Sequence, residues 1–274
     1  MKMSEKIKKM SELIAMKTKG SLASVHMDFA GLIRLGETNE ERLENFFSLI
    51  DLSCISGANI MIPTFSYSYP KNQIYDILNT PSSVGFVTEF LRKKFSSYRT
   101  ADPLFSYILP RREESPHFEV KDSESFGEDS LIAELFNLNG YICSIGDVFH
   151  NSPTEIHYLE KLMKVEYRTN KLFSGQTIDK NGLVHKNDSN FYCRDLNYDL
   201  GSDLTRLEKD LKSAGLVEKW FVDGLEFEIE AIKIQDMYSF LQAKIKEDHF
   251  YVCSNPTVKS ENFTDRRKKW SQTK

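Results

Sequence analysis

Short apolar runs alternate with amphipathic helical segments along this 274-residue chain, and that alternation leaves few folds open to it. Residues 22–26 form a strand pattern. Thr38-Asn39-Glu40-Glu41 is a capping box that opens a helix through about residue 50, and residues 59–64 form the next strand. Strand, helix and strand at this spacing predict a right-handed parallel crossover. Upstream, Ile7, Met10 and Ile14 share one face of a helix over residues 6–16. Downstream the pattern predicts a helix over 83–95, a strand over 141–145 and a helix over 204–214 stopped by Gly215. A hairpin is expected around Asp179-Lys180-Asn181-Gly182, then a strand over 225–234 and a last helix over 234–246. Ser152-Pro153-Thr154-Glu155 reads as the sharpest helix start, with Ser152 at the N-cap, Pro153 in the first turn and Glu155 closing the box. The expectation is an α/β fold. One large domain over residues 1–262 holds a central, mainly parallel or mixed sheet flanked by helices, with an α+β C-terminal portion. A basic tail follows over 263–274.

Composition narrows the function classes. Thirty-six Lys and Arg against 40 Asp and Glu give a net charge of −4, which lacks the electrostatic footprint of a nucleic-acid binder. No apolar run approaches 18 residues, so no membrane span is expected, and the first residues lack the apolar core of a signal peptide. Cys54, Cys143, Cys193 and Cys253 are dispersed, without a Cys-x-x-Cys pair, which suits a reduced, cytoplasmic protein. The six histidines show no metal-ligand spacing, so no metal is expected.

In open α/β sheets, ligands collect beyond the carboxyl ends of the parallel strands. Three such ends carry polar groups here: His26 with Asp28; Thr64, Ser66 and Tyr67; and Gly146 with Asp147. On the helix that follows, Thr154, His157 and Glu160 fall at spacings of three and form one polar stripe. A carboxylate beside an imidazole fixes its tautomer and raises its basicity. Thr80-Pro81-Ser82-Ser83-Val84-Gly85 leads into another helix, whose free N–H groups suit either a phosphate or an ordinary capped start. Arg99 fits an anion contact or a plain surface position. Tyr67, Tyr69 and Tyr75 fit either a sugar-sized pocket or simple packing.

Five segments in order resemble the aminoglycoside 3-N-acetyltransferase family: Met61-Ile62-Pro63-Thr64-Phe65, Thr80-Pro81-Ser82-Ser83-Val84-Gly85, Arg99-Thr100-x-x-Pro103-x-x-Ser106, Phe126-Gly127-Glu128-Asp129-Ser130 and Thr154-x-x-His157-x-x-Glu160. The resemblance implies an N-acyltransferase that uses acetyl-CoA or another short acyl-CoA. His157 is then the general base, Glu160 its carboxylate partner and Thr154 a neighbour able to donate to the oxyanion. It also implies that Thr64, Ser82, Ser83, Arg99, Thr100 and Ser106, with His26 and Asp28 at the first strand end, line the CoA cleft. Two departures stand out: His26-Met27-Asp28 replaces His-Ser-Ser, and Asp102-Pro103 replaces His-Pro.

For the acceptor, Tyr67, Tyr69 and Asp195 are candidates, with Asp199 beside them. The acidic stretches 113–114, 122–129 and 226–230 carry no motif tying them to the catalytic stripe. An aminoglycoside is a polycation and needs carboxylates at its site. The sequence therefore favours a nucleotide-linked amino sugar of polysaccharide biosynthesis as acceptor. An aminoglycoside stands second, and a non-catalytic CoA-binding module third. A homo-oligomer is compatible with all three.

Overall fold

The computed structural model describes residues 2–149 and 153–258. Helices are α1 (Met3–Lys17), α2 (Asn39–Ile55), α3 (Phe86–Lys94), α4 (Leu131–Asn137), α5 (Ile156–Leu162), α6 (Thr205–Ser213) and α7 (Ile234–Glu247). Strands are β1 (Ala23–Met27), β2 (Ile60–Pro63), β3 (Tyr75–Asp76), β4 (Tyr107–Ile108), β5 (Ser123–Glu124), β6 (Tyr141–Ile145), β7 (Arg168–Ile178), β8 (Val184–Arg194), β9 (Tyr198–Ser202), β10 (Glu218–Phe221), β11 (Glu228–Lys233) and β12 (Cys253–Val258). The central sheet runs β10-β11-β6-β1-β2-β4. Its middle, β6-β1-β2, is parallel, and antiparallel strands close both flanks. A second sheet, β3-β7-β8-β5, is built on the long β7-β8 hairpin, and β9 pairs with β12.

Every residue of β1, β2 and β6 is buried, as a parallel strand covered on both faces must be. Alternate side chains serve two cores. Val25, Ile60, Ile62 and Cys143 pack with α1, α2 and the inner side of β10-β11. Leu22, Met61 and Ile142 face α4, α5, α6 and α7 and the second sheet. Thr38 and Glu41 form the expected capping box of α2. On the second face, β1 also presents Ser24 and His26 inward, and those polar groups need partners.

The helix expected from Pro153 to about residue 165 is shorter. It starts at Ile156, after a turn in which Pro153 and Thr154 accept from the N–H groups of Ile156 and His157. The proposed cap, Ser152, lies outside the described residues, as does the basic tail over 263–274. Glu155 does not close a capping box. Its side chain turns into the core and is fully buried.

Candidate active site

The turn before α5 brings Glu155 beneath the carboxyl end of β1. Its carboxylate accepts from Ser24 Oγ at 2.5 Å and lies 3.0 Å from His26 Nε2. Burial alone would raise the Glu155 carboxyl, but His26 and the Ser24 hydroxyl outweigh it and hold it below the usual carboxylate value. This pair pins the start of α5 to the central sheet. Ser24 and His26, two apart on a doubly buried strand, were the sequence signal for such a partner. A carboxylate three residues after a serine masked it by resembling a cap.

Two residues further on, in the first turn of α5, His157 is half-buried. Its Nδ1 lies 2.9 Å from Glu160 Oε2, and its ring meets Phe126 edge-on at 5.8 Å. A carboxylate can only accept here, so Nδ1 carries the proton and Nε2 keeps a lone pair. Burial and the nearby Arg168 lower the imidazole's affinity for a second proton, against the opposing pull of Glu160. Glu160 is itself buried. Tyr167 Oη donates to its Oε1 at 3.0 Å, and Arg168 Nε lies 2.5 Å from its Oε2, at an angle that makes the contact Coulombic rather than a hydrogen bond. Burial pushes the Glu160 carboxyl up, while Arg168 and His157 more than offset this and keep it ionised. Arg168 opens β7 and Tyr167 immediately precedes it, a position no local pattern marked. Thr154 is half-buried in the turn before α5, and its carbonyl accepts from the His157 N–H at 3.0 Å.

The other candidates sort by what their side chains touch. Arg99 is fully buried. Nε faces Thr64 Oγ1 and Ser106 Oγ, Nη1 donates to the Ile77 and Thr80 carbonyls, and Nη2 donates to the Thr64 carbonyl. Its plane lies over Tyr75 at 5.0 Å. Arg99, expected at a phosphate, has its donors turned to groups inside the fold. With all three nitrogens engaged inside, it knits β4 and the loop after β2 to the segment before α3. Thr64, Thr100 and Ser106 are buried in the same network.

Asp28 ties the end of β1 to that of β6. Oδ1 accepts from Gly31 N at 2.7 Å and Oδ2 from Asp147 N at 3.2 Å. A side chain at Gly31 would collide with the Gly146 backbone, its Cβ falling 2.6 Å from Gly146 N, so the two loops touch only because glycine is there. Tyr69 is a core tie between the loop after β2 and the hairpin, bonded to Thr177 at 2.7 Å and to Asn187 at 2.5 Å. Tyr75 donates to the Thr100 carbonyl. These two tyrosines are packing residues, not a stacking platform. Tyr67 has a left-handed backbone, φ 51°, and packs edge-on against Phe65 and Phe105. Asp195 organises the turn after β8 by accepting from Asn197 N. The Asp199 side chain lies outside the described residues. Ser82 and Ser83 stand at the approach to α3, where Gly85 (φ 132°) is the N-cap and supplies no side chain. Ser83 donates to the Phe65 and Ser66 carbonyls, and Ser82 N donates to Glu89.

A cleft of about 940 Å³ lies along the side of α5 that carries Tyr158, Lys161 and Leu162; His157 does not line it and is linked to it through Phe126. Phe126, which packs on the His157 ring, and Lys161, one turn along α5, both line it. Among the described residues its walls carry seven carboxylates, most of them from residues 119–129, and three lysines. Lys161 is ion-paired to Glu124. The acidic stretch 122–129, expected to hang in a loop unconnected to the stripe, is fastened to it through Phe126 and Glu124. Among the described residues no cluster of His, Cys, Asp or Glu could hold a metal ion, and no helix is long and apolar enough to cross a membrane. Cys143 is buried in β6, and burial holds its thiol protonated, so it offers no nucleophile.

A mixed α/β sheet thus carries a buried imidazole–carboxylate pair on the helix that follows its central strands, the kind of pair that general-base chemistry uses. Residues 53–246 match the model of the aminoglycoside 3-N-acetyltransferase family, and the chain belongs to that family of acyl-CoA-dependent N-acyltransferases. The fold is similar to that of aminoglycoside acetyltransferase AAC(3)-IVa as apoenzyme, with TM-score 0.65 and 17% identity, covering 97% of this chain and 96% of that one. AAC-IIIb in binary complex with CoASH aligns with TM-score 0.65 and 13% identity over 88% of this chain and 96% of that one. Sisomicin-bound AAC-VIa aligns with TM-score 0.64 and 18% identity over 90% and 98%. No curated protein sequence matches the chain significantly.

Proposed function

We propose that the protein transfers an acetyl group from acetyl-CoA to an amine of a polycationic amino sugar of the aminoglycoside type, with His157 as general base. The observation that carries this reading is the acidic cleft fastened to His157. Its excess of carboxylates suits a polycation and repels the diphosphate of a nucleotide-linked sugar. Relatives solved with sisomicin, gentamicin and CoASH support the same reading.

The chemistry follows from the pair. An ammonium is not nucleophilic, so it first gives one proton to solvent; Nε2 of His157 then takes a second from the amine nitrogen as its lone pair attacks the thioester carbonyl carbon. Glu160, kept ionised by Arg168, stabilises the imidazolium that forms. Collapse of the tetrahedral intermediate breaks the C–S bond, and the proton on His157 passes to the departing CoA sulfur. The Thr154 hydroxyl, one turn before the base, is the proposed oxyanion donor. The approach to α3, with Ser82, Ser83 and the N–H groups after Gly85, is the proposed seat of the CoA pyrophosphate.

The test is a comparison of kcat/KM, with acetyl-CoA as donor, for kanamycin and gentamicin against UDP- and dTDP-linked amino sugars. The drugs should be acetylated at least tenfold more efficiently. Faster turnover of any nucleotide-linked sugar overturns the polycation reading.

A further inference from the structure

In the floor of the acidic cleft, Tyr107 of β4 is 2% exposed, yet its hydroxyl has no hydrogen-bond partner within the protein. Buried hydroxyls are rarely left so, because the group has given up water without replacing it. The orphan lies in a particular setting. Tyr107 lines the cleft together with Asp102, Phe105 and Ser125. Its oxygen lies within electrostatic range of Asp102, Glu155 and the Tyr67 hydroxyl. Ser125 is 4% exposed, and its Oγ sits beside Asp102 without closing a well-formed hydrogen bond. Asp102 spends one oxygen on the Leu104 and Phe105 N–H groups, at 2.9 and 3.1 Å, which leaves the other directed elsewhere.

We propose that Asp102, Tyr107 and Ser125 form a recognition subsite for the acceptor, Asp102 taking an ammonium and the two hydroxyls taking a sugar hydroxyl. The proposal deepens the acceptor reading above and rests on it. A cationic amino sugar presents both groups on one ring, and the subsite offers one carboxylate oxygen and two incompletely paired hydroxyls in the wall of one cleft. A hydroxyl with a purely structural role would be bonded within the fold, as those of Tyr69 and Tyr75 are. Glu155 is already held by Ser24 and His26 and so does not compete for the ligand.

The test is calorimetric titration of neamine into the wild-type protein and into Tyr107→Phe, Ser125→Ala and Asp102→Asn, with the melting temperature and the KM for acetyl-CoA measured in each. Asn keeps an acceptor for the Leu104 and Phe105 N–H groups, so Asp102→Asn should fold. Loss of the charge-assisted contact should weaken neamine binding by about 10- to 150-fold, and loss of either hydroxyl by about 3- to 12-fold. The KM for acetyl-CoA should stay unchanged, and Tyr107→Phe should melt no lower than wild type, because it removes a hydroxyl with no partner to lose. Wild-type affinity in Tyr107→Phe, or a lower melting temperature with unchanged affinity, overturns the subsite while leaving the acceptor reading intact. A wild-type protein that does not bind neamine overturns the acceptor reading, and the subsite with it.

Discussion

An imidazole becomes a useful base when its surroundings make the neutral form the resting one. His157 meets that condition through burial, reinforced by the positive charge of Arg168, with Glu160 pulling the other way. The net direction is down from the ordinary 6.5, so His157 stays unprotonated further into acid than a free histidine. The acid limb of kcat/KM against pH should therefore have its midpoint below about 6.5. His157→Asn should lower kcat by roughly 10²- to 10⁴-fold without loss of fold. An acid limb above that value, or near-wild-type turnover in the variant, removes His157 as the base. At this scale the spacing of His157 and Glu160 was legible, because residues three apart on a helix must meet. Arg168 was not, since its proximity to Glu160 depends on where a hairpin begins after an intervening loop. Arg99 was open to two readings, an anion contact or a plain surface position, and only the three-dimensional crowd of carbonyls around it shows that its donors are spent.

Among the elements, β1, β2, β6 and α2 were readable because each carries its own signal, either continuous apolar burial or a capping box. The two-residue strands β3, β4 and β5 were not. They exist only as pairings with β7, β2 and β8, and two residues carry no period. The hairpin was visible at its turn, but the turn says nothing of the eleven-residue strands behind it. The start of α5 failed instructively, since the glutamate that fits a capping box is the one the core claims. The link from Glu155 to Ser24 and His26 sets where α5 leaves the sheet, and with it where His157 sits. Glu155→Ala would leave the buried Ser24 hydroxyl and His26 Nε2 without the carboxylate they both contact. It should cost about 3–5 kcal/mol by urea unfolding at neutral pH, a typical result of breaking a buried pair from one side. Because the Glu155 and Glu160 carboxyls are both held below their usual 4.5, the stability they confer is present above that pH and is lost as pH falls through their depressed folded values. Acid destabilisation should therefore be smaller in Glu155→Ala than in wild type. A variant as stable as wild type at neutral pH would show that the pair does not anchor the helix.

For the whole molecule, a net charge of −4 gives no hint that charge is segregated. The cleft takes its carboxylates from the loop before β4, from β5 and its flanks, and from Asp188 of β8, so two sheets must come together before the acidic surface exists. That is why the sequence could identify the stretch 122–129 as acidic yet not connect it to His157. The segregation has a kinetic consequence that distinguishes the two substrates. A polycation entering this cleft is attracted by several carboxylates at once, whereas CoA, itself an anion, gains nothing from them. Raising ionic strength from about 0.05 to 0.5 M shortens the screening length from roughly 14 to 4 Å, so attraction from all but the nearest carboxylates fades. The KM for an aminoglycoside acceptor should then rise by about tenfold or more, while the KM for acetyl-CoA stays level or falls. Measuring both in the same salt series guards against a general loss of activity, which would lower kcat without separating the two KM values. If the acceptor KM stays flat while the protein remains folded, the carboxylates are not what draws the acceptor in, and recognition must rest on the neutral groups of the cleft floor.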